Sequence, residues 1–314
     1  ENGSFDYKSL DDLPPGVKEW ATEFLLMNLH LQSNHDKSQK ENRQTQLWNT
    51  YLDNNTEEKI IIPEECDHYF VEHVQTIYDD CIMETAWGQG SPYNLLTPIC
   101  DDDGDHTPAG CVAVAMAQVM KYWQHPDDFS WDILKNYYTP YETNRSAYEA
   151  AGLMKNIGDN VSMNYGCDGS GASLNKAKKA LDNDYGYNDN IVYDDYHIDD
   201  IKNNIQFGYP VILGGFRTVQ EWLGIKIYLD GHAWVADGYW SEYDRYKEVC
   251  YTGGGVPLER YYSKNYQYYI HMNWGWSNRS GENTWYYSNE LTAPDNGSGN
   301  DYQWNKSMII NIHL

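Results

Sequence analysis

The stretch that most constrains the fold of this chain is residues 107–126, TPAGCVAVAMAQVMKYWQHP. A Pro-Ala-Gly turn precedes Cys111, and the apolar, alanine-rich residues that follow include no glycine or proline before Pro126. Such a segment is long enough for about four helical turns. It predicts a buried helix whose first residue is Cys111.

A thiol at the start of a helix has unusual chemistry. The unsatisfied N–H groups and the positive end of the helix dipole stabilise a thiolate, which lowers the thiol pKa from about 8.5. Cys111 is therefore a candidate nucleophile. The alternative is that Cys111 is a small buried hydrophobic residue, as most helical cysteines are.

Composition excludes several kinds of partner. The 314 residues include 47 acidic and 22 basic side chains, a net charge of −25, whereas binding to nucleic acid needs a basic face. No run approaches the roughly 18–20 apolar residues of a transmembrane helix. The acidic loop 101–105 departs from the EF-hand pattern, because glycine is fourth and Val112 is twelfth. We expect no nucleic acid, no membrane span, and no metal or other cofactor.

The cysteines do not fix the redox compartment. Six are present, at positions 66, 81, 100, 111, 167 and 250, without a C-x-x-C pair or a zinc-type spacing. If Cys111 is a free thiol, five remain, and an odd number cannot all pair in disulfides.

The N-terminal part of the chain differs in pattern from the rest. Trp20, Phe24 and Met27 fall on one face of a helix that needs a packing partner. A hydrophilic, protease-accessible connector follows this helix. We place a domain boundary between residues 53 and 72.

The remaining residues divide into a helical half and a β half. Helices are predicted around 148–157 and over 174–181, after the helix that begins at Cys111. Short apolar strands follow at 210–213, 225–229, 233–237, 268–273 and 308–312. This segregation predicts an α+β fold, in which the helix with the nucleophile packs on an antiparallel sheet or barrel.

The β half supplies partners for the candidate nucleophile. His232 stands at the head of an apolar strand, and Asn273-Trp274 follow later. A papain-type thiolate needs an imidazole as proton shuttle, an amide to hold the imidazole tautomer, and an aromatic ring to exclude water. The alternative is that His232 is an ordinary histidine at the end of a strand and that Asn273-Trp274 form a turn with a buried indole. About 120 residues separate Cys111 from His232, near the roughly 130 of papain-like enzymes.

Several sequence blocks together resemble the streptopain-like family of bacterial cysteine peptidases, which are distant papain-fold relatives. The main blocks, in the family's order, are SPYNLLTP at 91–98, GCVA and AQVMKY within 110–122, GHAWV and DG within 231–238, and NWGW at 273–276. MNYG at 163–166 and DYGYN at 184–188 also match. The resemblance covers the chain from Trp87 onward.

The resemblance implies a papain-like fold and endopeptidase activity on polypeptides through an acyl-enzyme. Cys111 would attack the scissile carbonyl, and His232 would protonate the leaving amine and then activate water. Residues 1–70 would be a partial inhibitory pro-segment, cut within 53–72, and 71–314 the catalytic domain. We expect a secreted, cell-surface or periplasmic bacterial protein whose signal segment is absent from this chain.

The resemblance implies that the oxyanion would be held by the Cys111 backbone N–H and one side-chain donor. The family's glutamine before its Gly-Gly-His block has no counterpart in 211–215. Gln89 is the candidate by analogy with the glutamine upstream of the papain cysteine. The rival is the indole N–H of Trp274 or Trp276.

The resemblance also indicates how substrate is held. Gly169, Ser170 and Gly231 would line the cleft, where glycine backbone groups pair with an extended peptide. The chain departs from the family pattern at two places. Cys167 stands where the family has proline, and 216–230 is longer than the corresponding loop.

Two other functions compete with this interpretation. A transglutaminase-like or amidase reaction would use Cys111 and His232 with an aspartate, and Asp237 is on the strand of His232. Residues five apart on a strand face opposite sides, so we expect Asp237 to point away from the nucleophile. The second competing function is that of a catalytically silent, aromatic-rich binding protein on the same scaffold.

Overall fold

The computed structural model describes residues 66–78, 81–101, 104–222, 225–251, 257–277, 283–289 and 301–314. The chain forms two compact units. The first takes in the described residues within 76–241 and 267–314, and the second takes in those within 66–75 and 242–266. The predicted helix around Trp20 and most of the proposed pro-segment lie outside the described residues.

The helices of the first unit include all three that the sequence predicted. They are α1 (Cys111–Trp123), α2 (Arg145–Asn160), α3 (Leu174–Asn183) and α4 (Ile198–Gln206), with a short 3-10 helix at Trp131–Ile133. Helix α4 was not predicted, although Ile198, Ile201 and Ile205 follow helical spacing in its short sequence. Among the described residues, no helix is long and apolar enough to cross a membrane.

Side-chain caps define where two of the helices begin. Asn144 accepts a hydrogen bond from the N–H of Ala147 at the start of α2, and Ser173 accepts one from Lys176 at the start of α3. Helix α1 has no side-chain cap, and the residue before it, Gly110, has φ of 93°. Only glycine adopts this conformation readily, so the chain can turn sharply into Cys111.

The strands form the antiparallel half of the fold. They are β1 (Cys66–Tyr78), β2 (Val192–Asp195), β3 (Val211–Trp222), β4 (Ile225–Tyr251), β5 (Pro257–Asn273), β6 (Thr284–Tyr287) and β7 (Trp304–Ile310). In the first unit the strand order is β2-β7-β3-β4-β5-β6. The pairs β2–β7, β3–β7, β3–β4 and β5–β6 are antiparallel, so the predicted α+β segregation is confirmed.

Alternation along the central strands builds two cores in the first unit. Ile212 and Val235 pack in the cluster that contains α1, α2 and α3. Val211 and Trp234, their neighbours in sequence, pack in the other cluster with Ile201 of α4. Successive side chains of a strand face opposite sides, so the sheet is covered on both faces.

One prediction about the β half is wrong. The separate strands 225–229 and 233–237 belong to one strand, β4. Residues 216–230 form the β3–β4 hairpin, in which Thr218 pairs with Leu229 and Val219 with Tyr228. The two predicted strands left out Asp230 and Gly231, but Gly231 pairs with Phe216 and the ladder continues.

The second unit contains β1 up to residue 75, β4 from residue 242 and β5 up to residue 266. There β1 pairs with β4, and His73 of β1 lies 2.9 Å from the carboxylate of Asp244 on β4. A disulfide joins Cys66 to Cys250. Strand β1 continues across residue 70, so the described part of the predicted 53–72 connector is a strand rather than an exposed loop.

The cysteines divide into two disulfides and two free thiols. Cys100 pairs with Cys167 in the first unit, and Cys81 and Cys111 are free. All six cysteines are thereby accounted for. The Cys100–Cys167 disulfide anchors the glycine-rich loop 165–172 covalently to the segment that precedes Cys111.

Candidate active site

Cys111 is the first residue of α1 and is 8% exposed. Burial raises the pKa of the Cys111 thiol, although the backbone N–H groups of Ala233, Val112 and Cys111 itself act in the opposite direction. The sequence predicted a lowered pKa from the helix N-terminus. In this structure the cost of desolvating a thiolate is the larger effect.

His232 lies on β4, and its tautomer is set by the backbone of Trp274. The ring Nε2 is 2.8 Å from the Trp274 carbonyl oxygen, which can only accept, so Nε2 carries a proton. Nδ1 is then the acceptor in the neutral ring. Burial lowers the pKa of His232 to about 4, although the hydrogen bond to Trp274 acts to raise it.

Two shared neighbours bring the nucleophile and the imidazole into one site. The backbone N–H of Ala233, the residue that follows His232, acts to lower the pKa of the Cys111 thiol. The ring of Tyr302 lies 5.2 Å from that of His232. Burial, and to a smaller extent the charge of Cys111, raises the pKa of Tyr302 to about 12. The sequence gave no sign of Tyr302, because it lies outside the motif blocks.

Asn273 does not contact His232 through its side chain. Its Nδ2 donates to Gln118 Oε1 at 2.9 Å and to the Thr85 carbonyl at 2.5 Å, and its Oδ1 accepts from the Gly275 N–H at 3.3 Å. The sequence left open whether Asn273 orients the imidazole or only positions Trp274. The hydrogen bonds favour the second role.

An aromatic cluster surrounds the histidine. Trp274 is fully buried, and its ring lies 6.1 Å from His232 and 4.7 Å from Trp234. Trp276 lies 5.0 Å from His232. The cluster keeps water from the bond between Nε2 and the Trp274 carbonyl. The Nε1 atom of Trp274 is buried without a hydrogen-bond partner among the described residues.

Gln89 lies beside the segment that leads into the nucleophile. Its backbone oxygen accepts from the N–H of Ala109, two residues before Cys111, at 2.8 Å. Its side chain is half-buried. Gln118, which sequence reasoning missed, is fully buried and accepts from the Trp87 N–H at 3.1 Å. A polar residue in the apolar run of α1 was the available signal.

The glycine-rich loop reaches the residue before the nucleophile. A Cβ on Gly110 would lie 3.2 Å from the Ser170 carbonyl oxygen and 2.7 Å from the Met163 sulfur. Ser170 is 9% exposed and Gly169 is exposed. Gly231 immediately precedes His232 on β4 and pairs with Phe216. The three candidate substrate residues thus flank the two candidate catalytic ones.

A transglutaminase-like reaction would need Asp237 to act with His232, but Asp237 contacts a different histidine. Its carboxylate lies 2.6 Å from Nδ1 of His271, on the neighbouring strand β5. The expectation that Asp237 is turned away from the nucleophile agrees with this contact.

Comparisons with known proteins identify the family. The profile of the Peptidase C10 family matches residues 87–130 and 127–287, a range that includes every candidate site residue. Streptopain from Streptococcus pyogenes is 26% identical over 215 residues, which are 54% of this chain and 51% of streptopain. A thiol protease/hemagglutinin, PrtT, from Porphyromonas gingivalis is 24% identical over 261 residues, covering 72% of this chain and 26% of PrtT.

Solved structures show the same fold. Active interpain A cysteine protease from Prevotella intermedia aligns with a TM-score of 0.55 and 23% identity, covering 78% of this chain and 97% of interpain A. A prointerpain A fragment aligns with a TM-score of 0.52 and 22% identity, covering 78% of this chain and 74% of the fragment. The fold is therefore the papain-like α+β fold that the sequence predicted. The chain spans about half the length of streptopain, and by its match over residues 87–287 it belongs to the Peptidase C10 family of streptopain-like cysteine peptidases.

Proposed function

We propose that this protein is a cysteine endopeptidase that hydrolyses peptide bonds through Cys111 and His232. The observation that carries the proposal is the shared position of Ala233. Its backbone N–H acts to lower the pKa of the Cys111 thiol, and it directly follows a histidine whose Nε2–H is held by the Trp274 carbonyl. A thiol and a proton acceptor of fixed tautomer are what nucleophilic acyl transfer requires.

The resting pair is uncharged. Burial raises the pKa of the Cys111 thiol and lowers the pKa of His232 to about 4, and both shifts favour neutral forms. Transfer of the thiol proton to Nδ1 creates the thiolate and the imidazolium together. Each charge then stabilises the other, which offsets part of the desolvation cost.

The chemical steps use residues around this pair. The thiolate attacks the scissile carbonyl, and the oxyanion is held by the Cys111 N–H and by the side chain of Gln89. The imidazolium gives its proton to the leaving amine, and the neutral His232 then activates the water that releases the acyl group. Asn273 braces the strand end that presents the Trp274 carbonyl.

The substrate is an extended polypeptide. Gly169, Ser170 and Gly231 line the cleft, and their backbone groups pair with the peptide without reading every side chain. We propose further that residues 1–70 are an inhibitory pro-segment, that cleavage within 53–72 activates the zymogen, and that the enzyme is secreted.

Labelling with an epoxysuccinyl-peptide inhibitor tests the proposal. Mass mapping should place the label on Cys111 and not on Cys81, the other free thiol of the chain. The Cys111→Ala variant should neither be labelled nor cleave a denatured polypeptide. Labelling should increase after limited proteolysis within 53–72. No labelling and no cleavage before or after nicking would overturn the proposal and favour a silent binding protein.

A further inference from the structure

A covalent cross-link lies beside the proposed substrate cleft. The Cys100–Cys167 disulfide joins the segment that leads to Cys111 to the glycine-rich loop 165–172. The chemical steps proposed above use neither of its sulfur atoms. The disulfide can therefore act on the reaction only through the positions of the two segments that it joins.

The segment that contains Cys100 is held by its own hydrogen bonds. The Cys100 N–H donates to the Asp105 carbonyl at 2.7 Å, and the Thr107 N–H donates to the Pro98 carbonyl at 2.8 Å. The Thr107 carbonyl also accepts from the Thr97 hydroxyl at 2.6 Å. Cys100 itself is 4% exposed. It is a buried and fixed anchor in the chain that leads to the nucleophile.

The hydrogen bonds of the glycine-rich loop close it on itself. Asn164 and Gly171 exchange backbone hydrogen bonds at 2.9 and 3.1 Å, and the Gly169 N–H donates to the Gly166 carbonyl at 3.2 Å. The Gly166 N–H donates to the Ser170 hydroxyl oxygen at 3.3 Å. None of these bonds reaches the segment before the nucleophile.

The tip of the loop is exposed to solvent. Residues 167–169 are exposed, and nothing lies within 4 Å of a Cβ built on Gly169 or Gly171. Glycine has more backbone freedom than any other residue, so a tip of this kind has little intrinsic rigidity. The disulfide at Cys167 supplies a restraint at this tip.

The same two segments meet again next to the nucleophile. A Cβ on Gly110 would lie 3.2 Å from the Ser170 carbonyl oxygen, and Gly110 directly precedes Cys111. The loop is thus covalently fixed at Cys167 and packs against the segment at Ser170. The disulfide therefore helps to set how far the Ser170 backbone lies from the nucleophile.

We propose that Cys100 and Cys167 form a specificity-determining cross-link, which holds the loop 165–172 where an extended peptide can pair with it. This inference rests on the proposed function and adds two residues to it. A surface that is already ordered binds a peptide at a lower entropic cost than one that must be ordered on binding. The cross-link should favour ligands that extend along the loop, and it should not affect small reagents that touch only Cys111.

Two alkylating reagents separate binding along the loop from reaction at the thiol. Iodoacetamide is small and reports on Cys111 alone, whereas an epoxysuccinyl-peptide inhibitor must also lie along the cleft. Their rates of reaction with Cys111 are followed by mass mapping, after the limited proteolysis described above, in the parent chain and in Cys100→Ala/Cys167→Ala. The matched control is Cys66→Ala/Cys250→Ala, which removes the disulfide of the second unit. Thermal melts set a temperature at which all three chains are folded.

We expect the peptide inhibitor to react about ten-fold more slowly with Cys100→Ala/Cys167→Ala than with the parent, and iodoacetamide to react within about two-fold of the parent rate. The control should keep both parent rates. An unchanged peptide rate, the same fall in the control, or equal slowing of both reagents overturns the proposal. A Cys100→Ala/Cys167→Ala chain that does not fold overturns it too, because the cross-link would then serve overall stability.

The parent chain distinguishes this proposal from the proposed function. If the peptide inhibitor does not label Cys111 in the parent, the proposed function fails and this inference fails with it. If the parent is labelled no faster than Cys100→Ala/Cys167→Ala, only the role of the cross-link is overturned.

Discussion

The side-chain amide of Asn273 lies 2.9 Å from Oε1 of Gln118, and this contact joins the end of β5 to the middle of α1. Both residues are buried, at 2% and 0% exposure. The same Gln118 oxygen also accepts from the Trp87 N–H. Helix α1, which begins at the proposed nucleophile Cys111, and the end of β5 are therefore held at a fixed separation.

Asn273→Ala should reduce stability more than it alters the chemistry of His232. The Thr85 carbonyl loses its Asn273 donor, and a buried acceptor without its donor costs about 1–3 kcal/mol. Gln118→Ala leaves the Trp87 N–H without its acceptor and should cost a similar amount. In a double-mutant cycle the two losses should be strongly non-additive. Urea unfolding gives the free energies, and NMR titration should show an unchanged His232 tautomer. A changed tautomer in Asn273→Ala would contradict this role.

Gly110→Ala should destabilise the fold and impair activity. The residue has φ of +93°, and its new Cβ would lie 2.7 Å from the Met163 sulfur. The expected cost is about 2 kcal/mol or more from backbone strain and the clash. Gly90→Ala is the matched control, since nothing lies within 4 Å of a Cβ there. Thermal melts of the two variants should differ clearly, and equal melting temperatures would refute the argument.

Protonation of His232 should destabilise the folded chain. Its pKa is about 4 in the fold, against about 6.5 when unfolded, so the unfolded state binds the proton more readily. This contribution is fully present above pH 6.5 and is lost as the pH falls to 4, up to about 3 kcal/mol. Urea unfolding of Cys111→Ala at pH 7 and 4.5 should show the loss. Adding His232→Gln should remove that part of the pH dependence, and an unchanged dependence would exclude His232 as its source.

Gln89→Ala should lower kcat by about 10²–10³ if its side chain holds the oxyanion. Trp274→Phe removes only the indole N–H and keeps most of the ring packing around His232. It should therefore leave kcat within about three-fold of the parent, because one preorganised donor beside the Cys111 N–H is sufficient. Single-turnover acylation rates of the two variants show which side chain holds the oxyanion. The reverse ranking would assign the oxyanion to the indole of Trp274.

The site of activation cleavage should determine whether the pro-segment can leave. Cys66 is bonded to Cys250, so a cut between 67 and 72 leaves the N-terminal fragment covalently attached. Residues from 66 onward lie in β1, and we expect cleavage before Cys66 and release without reductant. Mass analysis of nicked protein under non-reducing conditions checks this. Cys250→Ser is the control, and release from that variant alone would place the cut after Cys66.

Local pattern was sufficient for three of the four α-helices that the structure describes. The apolar run after Cys111 and the amphipathic runs of α2 and α3 predicted helices that the structure contains. The bounds of the strands were harder to predict from the sequence, because strand length depends on pairing with distant residues. Gly231 looked like a break in sequence, yet its partner Phe216 carries the ladder through it.

The candidate site likewise has a part that the sequence predicted and a part that depends on contacts between distant residues. Motif order placed Cys111, His232 and Trp274 in one region, but hydrogen-bond partners depend on three-dimensional approach. The amide at Asn273 was a plausible partner for the imidazole, and the carbonyl of the next residue accepts the bond instead. The pairing of Cys100 with Cys167 was equally invisible, since parity alone only excluded complete pairing.

The acceptor that sets the His232 tautomer is a main-chain atom, and this limits what side-chain mutagenesis can detect. Every amino acid at position 274 carries the same carbonyl oxygen, so no point substitution there can delete the acceptor itself. Alanine scanning would register only lost packing at Trp274 and would overlook the group that orients the base. Replacing the amide linkage with an ester would leave the acceptor but weaken it, and such backbone chemistry is the direct way to measure its contribution.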